Sequence, residues 1–380
     1  MNNVLVLTTS RSDFGLLENL IDKIEKSKKL KLKLVVSGTH LIESYGNFYK
    51  QFIINKYSNI KKLKVPISIN KKNNFNAWSI FLDKFSKLLV NEKPDIAILL
   101  GDRLETLLAA ISLHSFNVPI AHIGGGEITK GATDNAFRHS ITKISNLHFV
   151  AHNEYYKRIL QLGENKKNIF YVGDPSVELI KNIKLKKRKE IERDLKFKLL
   201  KNNIIVTYHP ETLDLKNSKK NFTILLRFLE KLINYRIIFT FPNSDQDSYS
   251  IIKMIQISAK KNKNFIVFRE MGTINYLSTM KLCNFIIGNS SSGLTEAPLL
   301  NVPSINYGTR QEGRIKFKTV IDCKTNKSAL ETALRKVNKL KKTSIKYKGK
   351  SFSSDVINII EKRYKNISLK KDFNDLLKQT

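Results

Sequence analysis

Short apolar runs that stop at Gly, Ser or Asp, each followed by a longer stretch of helical periodicity, recur along this chain and leave few folds open to it. In the first half such runs at residues 4–7, 34–36, 96–100, 120–123, 147–151 and 169–172 predict strands, with "LLENLIDKIEKSKK" and "LETLLAAISLHSF" as helices between them. The runs are nearly continuous in apolar residues, as strands of a parallel sheet are when both faces are covered. A charged stretch, "KNIKLKKRKEIERDLKFKLLKNN", interrupts the pattern, and a second series follows: "NIIVTYHP", "YRIIFTFPNSD", "NFIVFRE" and "CNFIIGNSSSG". The fold class is therefore α/β, with two doubly wound Rossmann-like domains facing a central cleft. The expected limits are 1–180 and 185–345, with a helical tail, 352–380, packing back on the first domain. At 380 residues the chain exceeds one ordinary core. Two such sheets bring their strand C-terminal ends, where ligands bind, to opposite walls of one cleft.

Charge narrows the function less than its size suggests. Lys and Arg number 67 against 33 Asp and Glu, a formal charge of +34. The lysines are scattered over the chain beside Asn and Ile, which reads as solvated faces rather than a nucleic-acid site, although a small anionic substrate benefits from the field. Cys283 and Cys323 stand far apart with no CxxC and no His partner, so no disulfide framework and no metal site is expected. The N-terminus lacks a signal-peptide pattern and no run reaches the length of a membrane span, which predicts a soluble, cytoplasmic protein.

Chemistry concentrates where strands end. "TTSRSDFG" offers Arg11 beside a helix start, suited to a phosphate, with an N-cap at Ser12 or Asp13 as the plainer reading. "ILLGDRLET" puts Asp102 and Arg103 at the cleft rim. "AHIGGGEITKGATDNAFRHS" gathers three glycines with Glu127, Asp134, Arg138 and His139; the glycines admit a ligand close to the backbone, and Asp134 alone would read as a helix cap. In the second half "TYHPET" presents His209. "IIGNSSSGLTEAP" converges Ser290, Ser291 and Ser292 on one anion, with Glu296 about two turns into the following helix and able to hold ribose hydroxyls. Arg310 and Arg314 in "GTRQEGR" supply countercharge for a diphosphate. No Rossmann fingerprint follows the first strand, so no nicotinamide cofactor is expected, and no cofactor of any kind is called for.

These motifs, with "DNAFRHSITK" and "HFVAHNEYYKRILQLGE", resemble in order the hydrolysing branch of the UDP-N-acetylglucosamine 2-epimerase family over nearly the whole chain. The resemblance implies a two-lobed fold shared with GT-B glycosyltransferases, a nucleotide-sugar substrate and a homodimer through the first domain. It implies anti elimination of UDP across C1 and C2, then syn addition of water to the glycal, giving N-acetylmannosamine and UDP for sialic acid synthesis. Carried over by position, Asp134 and Asp102 match catalytic carboxylates and His209 a phosphate-side histidine. Arg103, Ser290, Ser291, Glu296 and Arg310 match nucleotide contacts. Many relatives read "HIEGGE" where this chain has "HIGGGE", so the work of that Glu is expected of Glu127, Asp134 or Asp102. Two enzymatic alternatives stand beside this reading: the same chemistry on UDP- or GDP-linked N,N'-diacetylbacillosamine, for legionaminic acid, and a GT-B glycosyltransferase. A basic binding protein for nucleic acid or anionic lipid rests on the scattered charge alone.

Overall fold

A computed structural model describes residues 2–43, 49–66, 75–243, 247–340 and 351–375. The expected domain limit at 345 and the expected end of the tail at 380 lie outside the described residues. Strands β1 (Asn2–Thr8), β2 (Leu30–Val36), β3 (Ile60–Lys62), β4 (Ile96–Leu100), β5 (Ile120–Ile123), β6 (Leu147–Val150) and β7 (Ile169–Tyr171) form one sheet, ordered β3-β2-β1-β4-β5-β6-β7. A second sheet contains β8 (Asn202–Thr207), β9 (Tyr235–Thr240), β10 (Phe265–Phe268), β11 (Phe285–Gly288), β12 (Ser304–Tyr307) and β13 (Val320–Cys323), ordered β10-β9-β8-β11-β12-β13. Every pairing is parallel, with Val4 beside Ile96 in the first sheet and Ile204 beside Phe285 in the second. The doubly wound class read from the apolar runs is the one observed.

Both sheets reverse their winding direction at a central pair, β1/β4 and β8/β11. Such a reversal leaves a crevice outside the strand C-terminal ends. Central strands are buried on both faces, Val4, Leu5 and Val6 at 0% exposure, which is why they read as unbroken apolar runs. Three strands escaped the sequence pattern. β3 is a three-residue edge strand, "IKK"; β12 is broken by Ser304 and Asn306; β13 is an edge with Asp322. Asn306 donates its side-chain amide across the ladder to Asp322 at 2.7 Å.

The helix Arg11–Glu25 begins at Ser10, whose hydroxyl and the Asp13 carboxylate form a reciprocal capping box, so the cap precedes the Ser12 or Asp13 position expected. Its apolar stripe, Leu17, Leu20, Ile21 and Ile24, packs in one cluster with Phe352, Val356 and Ile360 of the helix Phe352–Arg363. Burying each such side chain contributes about 1.5–3 kcal/mol. Glu178, in the helix Pro175–Asn182, accepts from the Ser353 amide at 3.0 Å and the Ser351 hydroxyl at 3.1 Å, placing a carboxylate at the N-terminus of that last helix. Among the described residues no helix is long and apolar enough to cross a membrane.

Candidate active site

The strand ends that flank the two winding reversals carry the site. Ser10 and Arg11 follow β1, Gly101 to Arg103 follow β4, His209 follows β8, and Asn289 to Ser292 follow β11. All but Ser10 and Asn289 line a cavity of about 290 Å³ between the sheets. All twelve residues named above as candidates line it: Arg11, Asp102, Arg103, Glu127, Asp134, His209, Ser290, Ser291, Ser292, Glu296, Arg310 and Arg314. His139, the remaining base of the glycine-rich stretch, does not; it lies outside the lining, partly buried, with its pKa lowered by burial and by Arg138 and Arg158.

On the first-domain wall, Arg138 is the organising residue. Only 1% exposed, it donates to the Glu127 carbonyl at 3.0 Å, to the Thr129 hydroxyl at 2.7 Å and to the Asp102 carboxylate. One guanidinium thus ties the β4 end to the glycine loop. Burial alone would raise the Asp102 pKa, but Arg138, Arg314, Arg310 and Arg103 outweigh it and hold this carboxyl below its ordinary range. The cap of the following helix is Arg103, so Asp102 is not spent as a helix cap. Asp134 is likewise not the cap of its helix: it is the first residue of Asp134–Ile144, and Thr133 before it makes no side-chain cap bond.

The glycine loop departs from expectation in detail. A methyl group on Gly126, at φ 79°, would come 2.4 Å from the Tyr155 carbonyl, and one on Gly125 would come 2.8 Å from the Thr142 hydroxyl. Those two positions serve packing within the domain. Gly124, at φ 87°, meets only the Gly101 backbone, at 3.8 Å, and faces the cavity. Beneath them His122 is fully buried, its Nε2 2.8 Å from the Gly101 carbonyl and its Nδ1 3.1 Å from the Thr142 hydroxyl. A carbonyl only accepts, so Nε2 carries the proton, while the Thr142 hydroxyl donates its own proton to the Arg138 carbonyl at 2.9 Å. Burial, aided by His148 and Arg138, pushes this histidine down to about 3, and it stays neutral.

On the second-domain wall, Asn289 clasps the backbone of His209 from both sides, accepting from its amide at 2.7 Å and donating to its carbonyl at 2.9 Å. The imidazole Nδ1 accepts from the Asn243 amide at 3.1 Å, which puts the proton on Nε2. Burial first, then Arg310, Arg103 and Arg11, hold its pKa well below the ordinary histidine value. Ser290 caps the turn Ser291–Gly293 and Ser292 meets the Tyr276 hydroxyl at 2.8 Å. The helix expected after the serines is only the four-residue Glu296–Leu299, so Glu296 begins it rather than standing two turns in. Pro298 inside and Asn301 at φ 59° beyond curtail it. Burial raises the Glu296 pKa despite a hydrogen bond from Thr295.

Glu211, which sequence reading passed over within "HPET", is 4% exposed. It accepts from the Thr309 amide at 2.9 Å and the Arg310 amide at 3.2 Å, fixing the loop that carries Arg310. The walls also pair across the cleft. Arg314 donates to Glu127, Arg310 lies 3.7 Å from Asp134, and Arg11 donates to Glu270 at 2.7 Å. The Thr133 amide donates to the Thr212 hydroxyl at 3.0 Å. Cations of one wall thus face carboxylates of the other. Such a site can bind a diphosphate and move a proton on a neighbouring group. Among the described residues no group of three or more His, Cys, Asp or Glu is placed to hold a metal ion.

Comparison with known proteins agrees with this architecture. Residues 22–361 match the family described as UDP-N-acetylglucosamine 2-epimerase. The chain is 39% identical to a GDP/UDP-N,N'-diacetylbacillosamine 2-epimerase (hydrolyzing) of Campylobacter jejuni, covering 85% of this chain and 84% of that one. It is 34% identical to the polysialic acid biosynthesis protein P7 of Escherichia coli, over 87% and 84%. Among solved structures, the Methanocaldococcus jannaschii UDP-GlcNAc 2-epimerase in complex with UDP-GlcNAc and UDP superimposes with a TM-score of 0.79, at 20% identity, over 95% of this chain and 99% of that one. That likeness speaks for the fold, and the sequence matches go further: this chain belongs to the UDP-N-acetylglucosamine 2-epimerase family.

Proposed function

We propose that the chain hydrolyses UDP-N-acetylglucosamine with inversion at C2, releasing UDP and N-acetylmannosamine for sialic acid-type synthesis. The observation that carries this is a cavity in which guanidiniums from both domains face Asp102, Glu127 and Asp134 of the first. C2–H of an acetamido sugar is scarcely acidic, so loss of the diphosphate must lead and its growing charge must be met. Arg310, Arg314, Arg103, the serine turn and the Nε2–H of a neutral His209 serve that end, Arg11 assists at the rim, and Glu296 holds the ribose. The second domain is thus the nucleotide domain and the first the sugar domain.

As the C1–O bond breaks, Asp134 takes the C2 proton and the 2-acetamidoglycal forms. Protonated Glu127 then gives its proton to C2 from the other face while water adds its hydroxyl to C1; the proton left by the water passes to the Glu127 carboxylate so formed, and Asp134 releases the proton it took to solvent. Asp102, held anionic by four guanidiniums, is a poor proton donor and instead stabilises positive charge at C1. Overall one water is consumed and one sugar–phosphate bond is cleaved.

A second reading takes UDP- or GDP-linked N,N'-diacetylbacillosamine as substrate. It is favoured by the 39% identity to the Campylobacter enzyme and by the open space at Gly101, where an added methyl would meet nothing within 4 Å, beside Gly124. Parallel incubations with both sugar nucleotides in deuterated water, followed by proton NMR, test the two. Free N-acetylmannosamine carrying deuterium at C2, at the higher kcat/KM, supports the first; preference for the diacetamido sugar moves the assignment to the second. Sugar released only when an acceptor is supplied would instead indicate a glycosyltransferase. We further infer a homodimer, supported by exposed Val90, Ile111 and Phe116 on two neighbouring first-domain helices and tested by sedimentation. A cytoplasmic location accords with two buried free thiols, and cell fractionation tests it.

A further inference from the structure

Beyond residue 361, where the family match ends, the chain runs back across the first domain. Residues 368–375 lie over the C-terminal end of the helix Asp134–Ile144, the helix whose other end presents Asp134 to the cavity. Lys371 donates to the Lys143 carbonyl at 2.6 Å and to the Ser145 carbonyl, two acceptors that the end of a helix leaves without partners. Its ammonium also lies 2.9 Å from Glu164, a carboxylate only 4% exposed that pairs in addition with His148 and Lys143, each at 3.0 Å. A cation at a helix C-terminus is favoured by the peptide dipoles as well.

The strap is held at further points. Asn146 donates to the Ser368 carbonyl at 3.0 Å, and Asn374 donates to the Gly163 carbonyl through its amide at 3.0 Å and its side chain at 3.1 Å. Gly163, at φ 77° in the left-handed region that favours glycine, lies against the Phe373 ring of the strap. The turn at Gly163 closes the helix Asn153–Gln161, and that helix supports the glycine loop: Arg158 donates to the Gly126 carbonyl at 3.1 Å. One strap therefore touches both elements that place Glu127 and Asp134.

At the cavity end the helix is held through Arg138, bonded to Glu127, Thr129 and Asp102, and through the Thr133 amide, which donates to the Thr212 hydroxyl at 3.0 Å. Thr133 gives no side-chain cap, and the eleven residues of Asp134–Ile144 span only about 16 Å. A rod this short transmits a shift at its far end to its near end. We propose that Lys371 is a positioning residue for the reaction, the strap lysine that caps the helix from outside and fixes where Asp134 stands. This rests on the role proposed above for Asp134.

The test compares Lys371→Met with Lys371→Arg in the full chain. Glu164 keeps Lys143 and His148 in either variant, so the fold has its remaining partners. For Lys371→Met, kcat falls roughly tenfold while affinity for UDP, held by the other domain, is unchanged; Lys371→Arg restores kcat. Amide exchange quickens in residues 134–144 of the Met variant and not in the second sheet. Should Lys371→Met misfold, Asn374→Ala, which loosens the strap from its other end, gives the same two readouts. Unaltered kcat with unaltered exchange in a folded variant overturns the proposal, as does a loss of UDP affinity in proportion to kcat. Wild-type protein inert on every sugar nucleotide would sink the proposed function instead, and the exchange measurement would still decide the strap.

Discussion

Asp134 and His122 illustrate two ways in which one side chain decides the behaviour of this site. Asp134 stands just inside its helix, 3.7 Å from the Arg310 guanidinium. Replacing it by Asn removes charge at nearly constant volume. Turnover should fall by about 10²-fold or more with UDP affinity maintained, and unimpaired turnover in a steady-state assay would remove Asp134 from the chemistry. His122 acts through stability. Its folded pKa of about 3 lies below the ordinary 6.5, so the unfolded chain takes up a proton that the folded one refuses. The stabilisation is whole above pH 6.5 and is lost as pH falls toward 3. His40, pushed down to about 4 chiefly by burial, adds the same dependence, and Glu164, held near 2 against burial by His148 and Lys371, adds more below 4.5. Urea midpoints followed from pH 6.5 down to 4 should therefore decline, and His122→Gln should flatten the slope by about 1.4 kcal/mol per pH unit. Parallel slopes for both proteins would mean that His122 is protonated in the folded state.

Elements were legible in the sequence where burial on both sheet faces made them uniformly apolar, as with β4 and β5, and the site loops were legible because they punctuate those runs. β3 and β13 were not, since an edge strand has half its surface in water and needs no apolar run. The short helix at Glu296 was overestimated because Pro298 and the left-handed Asn301 act one turn after it starts. Buried polar residues escaped for a different reason. His122 and Glu211 find their partners through the tertiary fold, and Glu211 meets Arg310 from 99 positions away. The second-domain wall depends on that contact, since Glu211 satisfies two successive amides of the Arg310 loop. Glu211→Ala leaves those amides without an acceptor at a cost of about 1–3 kcal/mol. UDP binding by calorimetry should weaken roughly tenfold as Arg310 loses its aim. Wild-type affinity would show that the loop holds its shape without the carboxylate.

At the scale of the whole molecule, the two domains are joined by the groups that the proposed reaction needs. Arg314 donates to Glu127 and Arg310 stands near Asp134, so a diphosphate entering the cleft competes with the carboxylates of the opposite wall for the same guanidiniums. Burial opposes the charge on Arg314, and Glu127, with Asp102, more than restores it, raising its pKa. Binding a phosphate there therefore exchanges one anion for another and gains only the difference. Glu127→Gln removes the competing charge while keeping an acceptor of similar shape. It should bind UDP more tightly, by roughly tenfold or about 1.4 kcal/mol, while turning over more slowly because the proposed proton donor to C2 is gone. Calorimetry with UDP and a turnover assay read the two effects separately. Tighter binding with lost turnover places Glu127 both as competitor and as reactant, the arginine passing from carboxylate to diphosphate as substrate arrives. Weaker binding would mean that Glu127 aims Arg314 at the phosphate, and the pairing across the cleft would then be preorganisation rather than competition.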